Sequence, residues 1–370
     1  MAEATNGTLP EGSAERDIRL AEHAEAVQEM RQTKGLEGLV GGLQAVVINT
    51  EPQMHDRAVQ ELLRTTGMGL REGYVDANYK VTRLGIEASP DILIQTRLAD
   101  ENPFYALNLN PKSRFLPHTR LETFIFSTPD IETYVRLQSD RGVTFMTDDI
   151  QYHPEYAFIQ TRPSPFTHNS LGFIQWKNHA SDSFKTRDAQ EITPKAEKPD
   201  MPHLQNIGAL DHCATRVTSA ERDNAILEFM ELTNYNFDFA IYVNSLNSIT
   251  NVARLSDKDF AMVFTSGIAS DSATQDTGPT EQFIANYGRR VHHMAFTTKE
   301  IETTYDALER DGMRFLVELV GSEAEGLQQT FTVPSKYTLL VNEYIQRYGD
   351  FDGFFTKSNV TMLTEATGRQ

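Results

Sequence analysis

The sequence predicts an α+β fold built from two tandem β-α-β-β-β modules, each an open barrel. Three observations predict it. The stretch Val291 to Ile301 reads as a strand that turns straight into a helix. On that strand Val291, His293 and Ala295 share one face, and His292, Met294 and Phe296 the other. The same unit occurs earlier, from Leu121 to Tyr134: Ile131 matches Ile301 at an offset of 170, and Gly142 then falls on Gly312. Two further anchors keep nearly that offset. Leu43-Gln44-Ala45-Val46 lies opposite Leu210-Asp211-His212-Cys213 at 167, and Phe173-Ile174-Gln175-Trp176 opposite Tyr344-Ile345-Gln346-Arg347 at 171. Anchors in one order at a near-constant offset indicate a duplicated unit.

A chain of 370 residues is long enough for two cores, and 39% hydrophobic with 23% charged residues is ordinary for a globular protein. The net charge of −18 argues against nucleic acid and anionic membranes as partners. The single cysteine, Cys213, excludes an internal disulfide and fits a cytoplasmic setting, where it reads as a small core residue. No apolar run is long enough for a spanning helix, and Met1 to Glu15 lacks the apolar core of a signal peptide.

Taken in order, Met1 to Gly12 reads as a disordered tail. Ala14 to Lys34 predicts a helix with no strong apolar stripe, packed only on the surface. Leu43 to Asn49 is the first strand, and Gln53 to Thr66 the first helix, with Ala58, Leu62 and Leu63 on its core face. Tyr79 to Gly85, Asp91 to Leu98 and Leu171 to Trp176 are strands around the unit Thr119 to Phe145. Lys177 to Asn206, polar and with three prolines, reads as a connection. In the second copy Leu210 to Val217 is a strand and Ala220 to Thr233 a helix. Tyr235 to Phe239, Ser248 to Leu255 and Phe260 to Thr265 are strands, Ser266 to Gly278 a loop, and Glu281 to Tyr287 a short helix. Thr297 and Glu300 have capping-box spacing for the next helix, whose Ile301, Tyr305 and Leu308 form a core stripe. Gly312 ends it in a left-handed turn, and Met313 to Val320 reads as a strand. Gln328 to Val333 and Lys336 to Ile345 form a hairpin, and Val360 to Ala366 a closing helix. The organisation expected is a tail and helix over 1–35, a first module over 36–176, a connection over 177–206 and a second module over 207–370.

The duplication allows an internal comparison. His212 faces Ala45, His293 faces Thr123 and Glu343 faces Gly172. Three metal-type residues thus occur in the second copy, and none of their counterparts is a good ligand. Two imidazoles and a carboxylate leave half of an octahedral metal open, which suits non-haem Fe(II) with O2 and a chelating substrate. Glu343 stands in the apolar strand Leu339 to Ile345, where an unpaired carboxylate would be costly. Alternation does not choose between His292 and His293; it only sends them to opposite faces. The other histidines (His23, His55, His118, His153, His168, His179 and His203) read as core or surface residues.

Several stretches resemble the 4-hydroxyphenylpyruvate dioxygenase family of the vicinal oxygen chelate superfamily, whose fold is glyoxalase/bleomycin-resistance-like. They are Leu210-Asp211-His212-Cys213, Leu246-Asn247-Ser248, Val291-His292-His293-Met294-Ala295, Gln329-Thr330-Phe331-Thr332 and Asn342-Glu343-Tyr344-Ile345-Gln346-Arg347. The resemblance implies His212, His293 and Glu343 as Fe(II) ligands. His293 is implied over His292 because the family's ligand directly precedes the pair matched by Met294-Ala295. Ser248 and Gln329 match residues lining the substrate pocket, Phe331 matches one of two phenylalanines that sandwich a substrate ring, and Phe354 keeps the first phenylalanine of the family's Gly-Phe-Gly-Lys-Gly-Asn-Phe, which reads here from Gly353 to Val360. Val360 stands where that motif has its last phenylalanine, the second half of the sandwich. Val263-Phe264-Thr265-Ser266-Gly267 lacks the family's substrate-facing asparagine.

The resemblance implies oxidative decarboxylation of a 2-oxo acid by O2, with hydroxylation of the same molecule. The substrate expected is 4-hydroxyphenylpyruvate, giving homogentisate in tyrosine catabolism, or 4-hydroxymandelate as in the synthase branch. The chain is expected to act as a homodimer or homotetramer. Three rivals stand beside this. An extradiol catechol dioxygenase would need an acid–base histidine, for which only His292 is adjacent. A glyoxalase-like isomerase would draw ligands from both modules, against which Ala45, Thr123 and Gly172 speak. The third is a metal-free binding module.

Overall fold

A computed structural model describes residues 13–99, 101–178, 182–269, 278–351 and 353–370. The expected tail and most of the expected loop after Ser266 lie outside them. Helix α1 (Ser13–Lys34) precedes a first set of elements: β1 (Leu43–Asn49), α2 (His55–Thr65), β2 (Gly69–Val75), β3 (Tyr79–Gly85), β4 (Asp91–Arg97), β5 (Arg120–Ser127), α3 (Ile131–Asp140), β6 (Gln151–Tyr152), β7 (Tyr156–Gln160), β8 (Ser170–Trp176) and β9 (Gln190–Glu191). The second set is β10 (Ile207–Arg216), α4 (Arg222–Leu232), β11 (Asn236–Val243), β12 (Ser248–Arg254), β13 (Ala261–Ser266), α5 (Pro279–Tyr287), β14 (Arg290–Thr298), α6 (Ile301–Arg310), β15 (Val320–Ser322), β16 (Leu327–Phe331), β17 (Val341–Arg347) and α7 (Lys357–Thr367).

The strands form two mixed sheets, ordered β6-β7-β8-β5-β1-β4-β3-β2-β9 and β11-β12-β13-β10-β14-β17-β16-β15. Read from opposite ends these are the same sheet, apart from β9. The registers match too. Ala45 pairs with Ile125 as His212 pairs with Ala295, and Ile125 pairs with Gly172 as Ala295 pairs with Glu343. Ala45 and Gly172 therefore occupy the places of His212 and Glu343.

Helices α3 and α6 start in the same way. Gln175 accepts from the Ile131 amide at 2.9 Å, and Gln346 accepts from the Ile301 amide at 2.7 Å. In the first copy Asp130 also caps α3 through the Thr133 amide. The capping box expected at Thr297 and Glu300 does not form: Glu300 is itself the N-cap, at φ +49°, without a side-chain cap bond. A side chain from β17 has taken over that task. Gly142 and Gly312 both end their helices at positive φ, +87° and +93°.

Other expectations need correction. Met313 to Val320 is largely irregular, with one bridge at Phe315 and a strand that begins only at Val320. Strands β2 and β7 form where none was expected. The connection between modules is seated on the first barrel: β9 pairs with β2, and Phe184 is buried with its carbonyl taken by the hydroxyls of Tyr74 and Tyr156.

The largest correction concerns α1. It is buried along Leu20, Ala24, Val27 and Arg31, one residue per turn, against α4 of the second set. Arg31 donates to the carbonyls of Met230, Thr233 and Tyr235 at 3.2, 3.1 and 2.9 Å, and to Asn236 Oδ1 at 2.6 Å. Those carbonyls close the C-terminal end of α4, where a cation is favoured. The two sheets share one apolar core, in which Phe126 meets Phe229 and Tyr235 edge-on and the Tyr134 hydroxyl donates to Leu232. Arg31→Met would leave these buried acceptors unpaired, and is expected to cost about 3 kcal/mol. Urea unfolding measures it; an unchanged midpoint would show that α1 is not anchored there.

Candidate metal centre

Alternation along β10 turns His212, Ala214 and Arg216 to the inner face of the second sheet and Cys213 and Thr215 to the outer face, where Cys213 joins the apolar core. On β17 the inner set is Val341, Glu343 and Ile345, and on β16 it is Leu327, Gln329 and Phe331. Strand β14 is different. Its pairing with β10 runs Ala214 to His293 and then Thr215 to Val291, so His292 is the extra residue of a β-bulge. Val291, Met294 and Phe296 lie in the outer core, while both histidine rings lie inside. The opposite faces expected for His292 and His293 are therefore not found. The first copy has the same bulge at Glu122, and there Glu122 and Thr123 line one interior cavity.

The structure brings His212, His293 and Glu343 together, with one ligand atom from each within 4.8 Å of the others. Glu343 Oε2 lies 3.2 Å from His212 Nε2 and 3.1 Å from His293 Nε2. The other Glu343 oxygen accepts from Gln329 Nε2, whose own carbonyl accepts from Asn359 Nδ2 on α7 at 2.9 Å. Asp211 holds His212 Nδ1 at 2.7 Å and is gripped by Arg347 at 2.7 and 3.2 Å. A carboxylate on Nδ1 directs Nε2 towards a metal. The His212 Nε2 atom is buried and makes no well-aligned hydrogen bond, even with Glu343 Oε2 at 3.2 Å. Two imidazole nitrogens and a carboxylate oxygen converging on one point, one nitrogen orphaned, fit a divalent ion.

Three phenylalanine rings lie against this cluster. Phe331 leans on His293 with centroids 4.7 Å apart, while Phe354 and Phe355 lean on His212 at 5.4 and 5.2 Å. Phe331 and Phe354 thus flank the cluster from two sides. Ser248 lies further along the inner face, 3.3 Å from Thr280 Oγ1 on α5. His292 Nδ1 faces His293 Nδ1 at 2.8 Å, and its Nε2 faces the side chain of Gln370 at 2.8 Å. With a metal on His293 Nε2, His293 carries its proton on Nδ1 and donates it to His292. Sequence reasoning assigned no role to Asp211, Arg347, Asn359 or Arg216. Asp211 and Arg347 stand in the quoted motifs that carry His212 and Glu343, and Asn359 directly precedes Val360 in the closing motif, which was a usable signal; Arg216 is a single polar residue with no pattern around it.

Burial alone would raise the pKa of Glu343, but His212 and His293 outweigh it and hold it at about 2. Burial also opposes a charge on His212, yet Glu343 and Asp211 keep its pKa at about 9. At His293 burial prevails over Glu343, and its pKa falls to about 4. At neutral pH the metal-free site therefore holds one carboxylate, one imidazolium and one neutral imidazole.

No family model and no curated protein matches this sequence. Solved structures do match. A triple mutant of 4-hydroxymandelate synthase from Streptomyces coelicolor is 16% identical, with a TM-score of 0.67 over 89% of this chain and 98% of that one. A xylose isomerase-like TIM barrel/4-hydroxyphenylpyruvate dioxygenase fusion protein is 14% identical, with a TM-score of 0.61 over 90% of this chain and 53% of the fusion. BphC, a halotolerant catechol dioxygenase, is 10% identical at a TM-score of 0.51, over 86% and 91%. The fold is that of the vicinal oxygen chelate proteins, α+β as the sequence predicts.

A metal entering this site must displace the proton on His212. Apparent affinity should therefore rise about tenfold per pH unit up to pH 9 and level off above it. Calorimetry in buffers of different ionisation heat at pH 7.5 should detect release of about one proton per metal. Glu343→Ala and His293→Ala should lose tight metal binding, whereas His292→Ala should keep it, because His292 faces its neighbour rather than Glu343. Asp211→Asn should weaken binding by about 10–100-fold. Normal metal content in Glu343→Ala would remove the triad.

Proposed function

We propose that this protein is an Fe(II)-dependent dioxygenase that oxidatively decarboxylates and hydroxylates an arylpyruvate, 4-hydroxyphenylpyruvate being the first candidate. The observation that carries the reading is the buried cluster of His212, His293 and Glu343 in one of two duplicated barrels, with Phe331 and Phe354 on either side of it. The neighbours in structure include 4-hydroxymandelate synthase and a 4-hydroxyphenylpyruvate dioxygenase fusion, which support this class.

Iron(II) bound at the three side chains would supply the open positions for O2 and for a chelating 2-oxo acid. The remaining work falls to the chain. Gln329 holds one oxygen of Glu343, so that the other faces the metal. Asp211, itself fixed by Arg347, keeps His212 in the tautomer that offers Nε2. Phe331 and Phe354 present aromatic faces that suit a substrate ring, each stacked pair contributing about 0.5–1.5 kcal/mol beyond burial. Phe355 and the closing helix exclude water from the reacting centre. Neither Val360 nor Thr265 replaces the family's second phenylalanine and asparagine in kind, which favours weak discrimination between 4-hydroxyphenylpyruvate and phenylpyruvate.

The inward His292 favours a second reading, an extradiol catechol dioxygenase, because that reaction needs an acid–base histidine beside the metal. One experiment decides. The protein is loaded anaerobically with Fe(II), and O2 uptake and CO2 release are followed with arylpyruvates, aliphatic 2-oxo acids and catechols. Matched O2 uptake and CO2 release with arylpyruvates is expected, and product analysis then separates homogentisate from 4-hydroxymandelate. Uptake with a catechol and no CO2 would establish the second reading; inertness towards the whole panel would overturn both.

A further inference from the structure

The inner face of β10 carries a charged residue for which the metal centre has no use. Arg216 stands four residues beyond His212 on the same face, roughly 13 Å along the strand. It is 3% exposed. Among the described residues its guanidinium reaches two hydroxyls only, Thr280 Oγ1 on α5 at 3.5 Å and Thr367 Oγ1 on α7 at 3.2 Å. Its Nε has no partner. Among the described residues no carboxylate pairs with it. Arg120 and Arg290 are likewise buried without an ion-pair partner, but each bonds a backbone carbonyl of the other copy, Arg289 and Thr119 respectively, whereas other buried arginines have carboxylates. Arg222 is paired with Asp223 and Asp17, and Arg31 has Glu37 and four further acceptors. A buried cation without an anion is costly, and a ligand that brings the anion removes that cost.

The surroundings of Arg216 form an end to the interior. Its register partner on β13 is Thr265, whose partner on β12 is Thr250, so one row across the sheet is polar and buried. Ser248 joins this group through Thr280. Between that row and the metal cluster the inner face is apolar: Ala214, Val252 and Val263 pack with Phe354. The interior therefore runs from a metal-type cluster, through an apolar middle, to a hydroxyl-lined end that holds one cation. Burial lowers the pKa of Arg216 to about 10, which still leaves it charged at neutral pH.

We propose that Arg216 determines substrate specificity at the hydroxyl-lined end of the interior, and that the site takes an aromatic 2-oxo acid bearing a carboxylate at the end away from its 2-oxo acid group. The proposal rests on the 2-oxo acid reading above for one end of the substrate and on Arg216 alone for the other, and it puts a ring bearing a carboxylate ahead of 4-hydroxyphenylpyruvate as the preferred arylpyruvate. A neutral far end such as a phenol would leave the guanidinium without a counter-charge.

The test compares wild type, Arg216→Met and Arg216→Lys as full-length chains. With Fe(II) loaded, kcat/KM is measured for phenylpyruvate, 4-hydroxyphenylpyruvate and 4-carboxyphenylpyruvate. Separately, binding of 4-methylbenzoate, which has no 2-oxo acid, is measured on the metal-free proteins by calorimetry. Wild type is expected to prefer 4-carboxyphenylpyruvate. The ratio of its kcat/KM to that of phenylpyruvate should fall on the order of 100-fold in Arg216→Met. Arg216→Lys keeps the charge and should retain part of the preference, so the comparison stands even if the Met variant folds poorly. 4-Methylbenzoate should bind wild type and not Arg216→Met. An equal loss for all three substrates, with 4-methylbenzoate binding unchanged, would mean that Arg216 only pins α5 and α7, and would overturn the proposal. Arg216-dependent binding of 4-methylbenzoate without turnover of any 2-oxo acid would overturn the activity reading and leave the anion site standing.

Discussion

A carboxylate sealed between two imidazoles sets the terms for the rest of the second barrel. Glu343 is almost wholly buried, and an ionised carboxylate there is tolerable only with positive charge or strong donors around it. His212 supplies charge, His293 and Gln329 supply donors, and each is then held by something further out. Asp211 and Arg347 secure His212, Asn359 secures Gln329, and His292 secures His293. These contacts reach from the centre to β10, β14, β16, β17 and α7. The closing helix is thus tied to the same carboxylate that faces the proposed metal, and closure and metal geometry are mechanically linked.

The first barrel shows what the same frame does without that carboxylate. Gly172 stands where Glu343 would, and a Cβ there would already meet the Phe158 ring at 2.8 Å. The bulge residue Glu122 turns inward as His292 does, but it is neutralised by Arg97 through two bonds of 2.7 Å, with Gln95 adding a third at 3.2 Å. Thr123, in the place of His293, accepts from Gln160 at 2.8 Å. The duplicated bulge delivers a polar side chain to the interior in both copies. One copy settles it as an internal ion pair, and the other sets it beside a histidine that faces Glu343.

Much of this was legible because apolar alternation and helix punctuation are local signals. Leu43–Asn49 and Tyr79–Gly85 are strands at the expected residues, and Gly142 and Gly312 end helices as their spacing implies. The pairing of His212, His293 and Glu343 with Ala45, Thr123 and Gly172 came from the offset of the repeat, and the registers reproduce it. The bulge was not legible, since it exists only in relation to the partner strand and nothing in Val291-His292-His293-Met294 marks it. The seating of α1 was hidden for another reason: its buried stripe is thin and ends in Arg31, which reads as a solvent residue until its carbonyl partners are known. Strands β2 and β7 were missed because Gly69–Val75 is Gly-rich and charged, and Tyr156–Gln160 is short.

The docking of α1 also bears on how the chain is assembled during synthesis. This helix leaves the ribosome before either barrel, yet its partners, Met230 to Asn236, emerge about two hundred residues later. Growing at ~5–20 residues per second, the chain carries an unsatisfied amphipathic helix for on the order of ten seconds or more, while the first barrel folds beside it. During that interval Leu20, Val27 and the guanidinium of Arg31 have no α4 to settle against. The first barrel can form early, but its outer core is completed only from the second, by Phe229 and Tyr235 meeting Phe126. A segment made before both barrels is among the last to reach its place, which makes the nascent first half a natural client for a chaperone that holds exposed apolar helices.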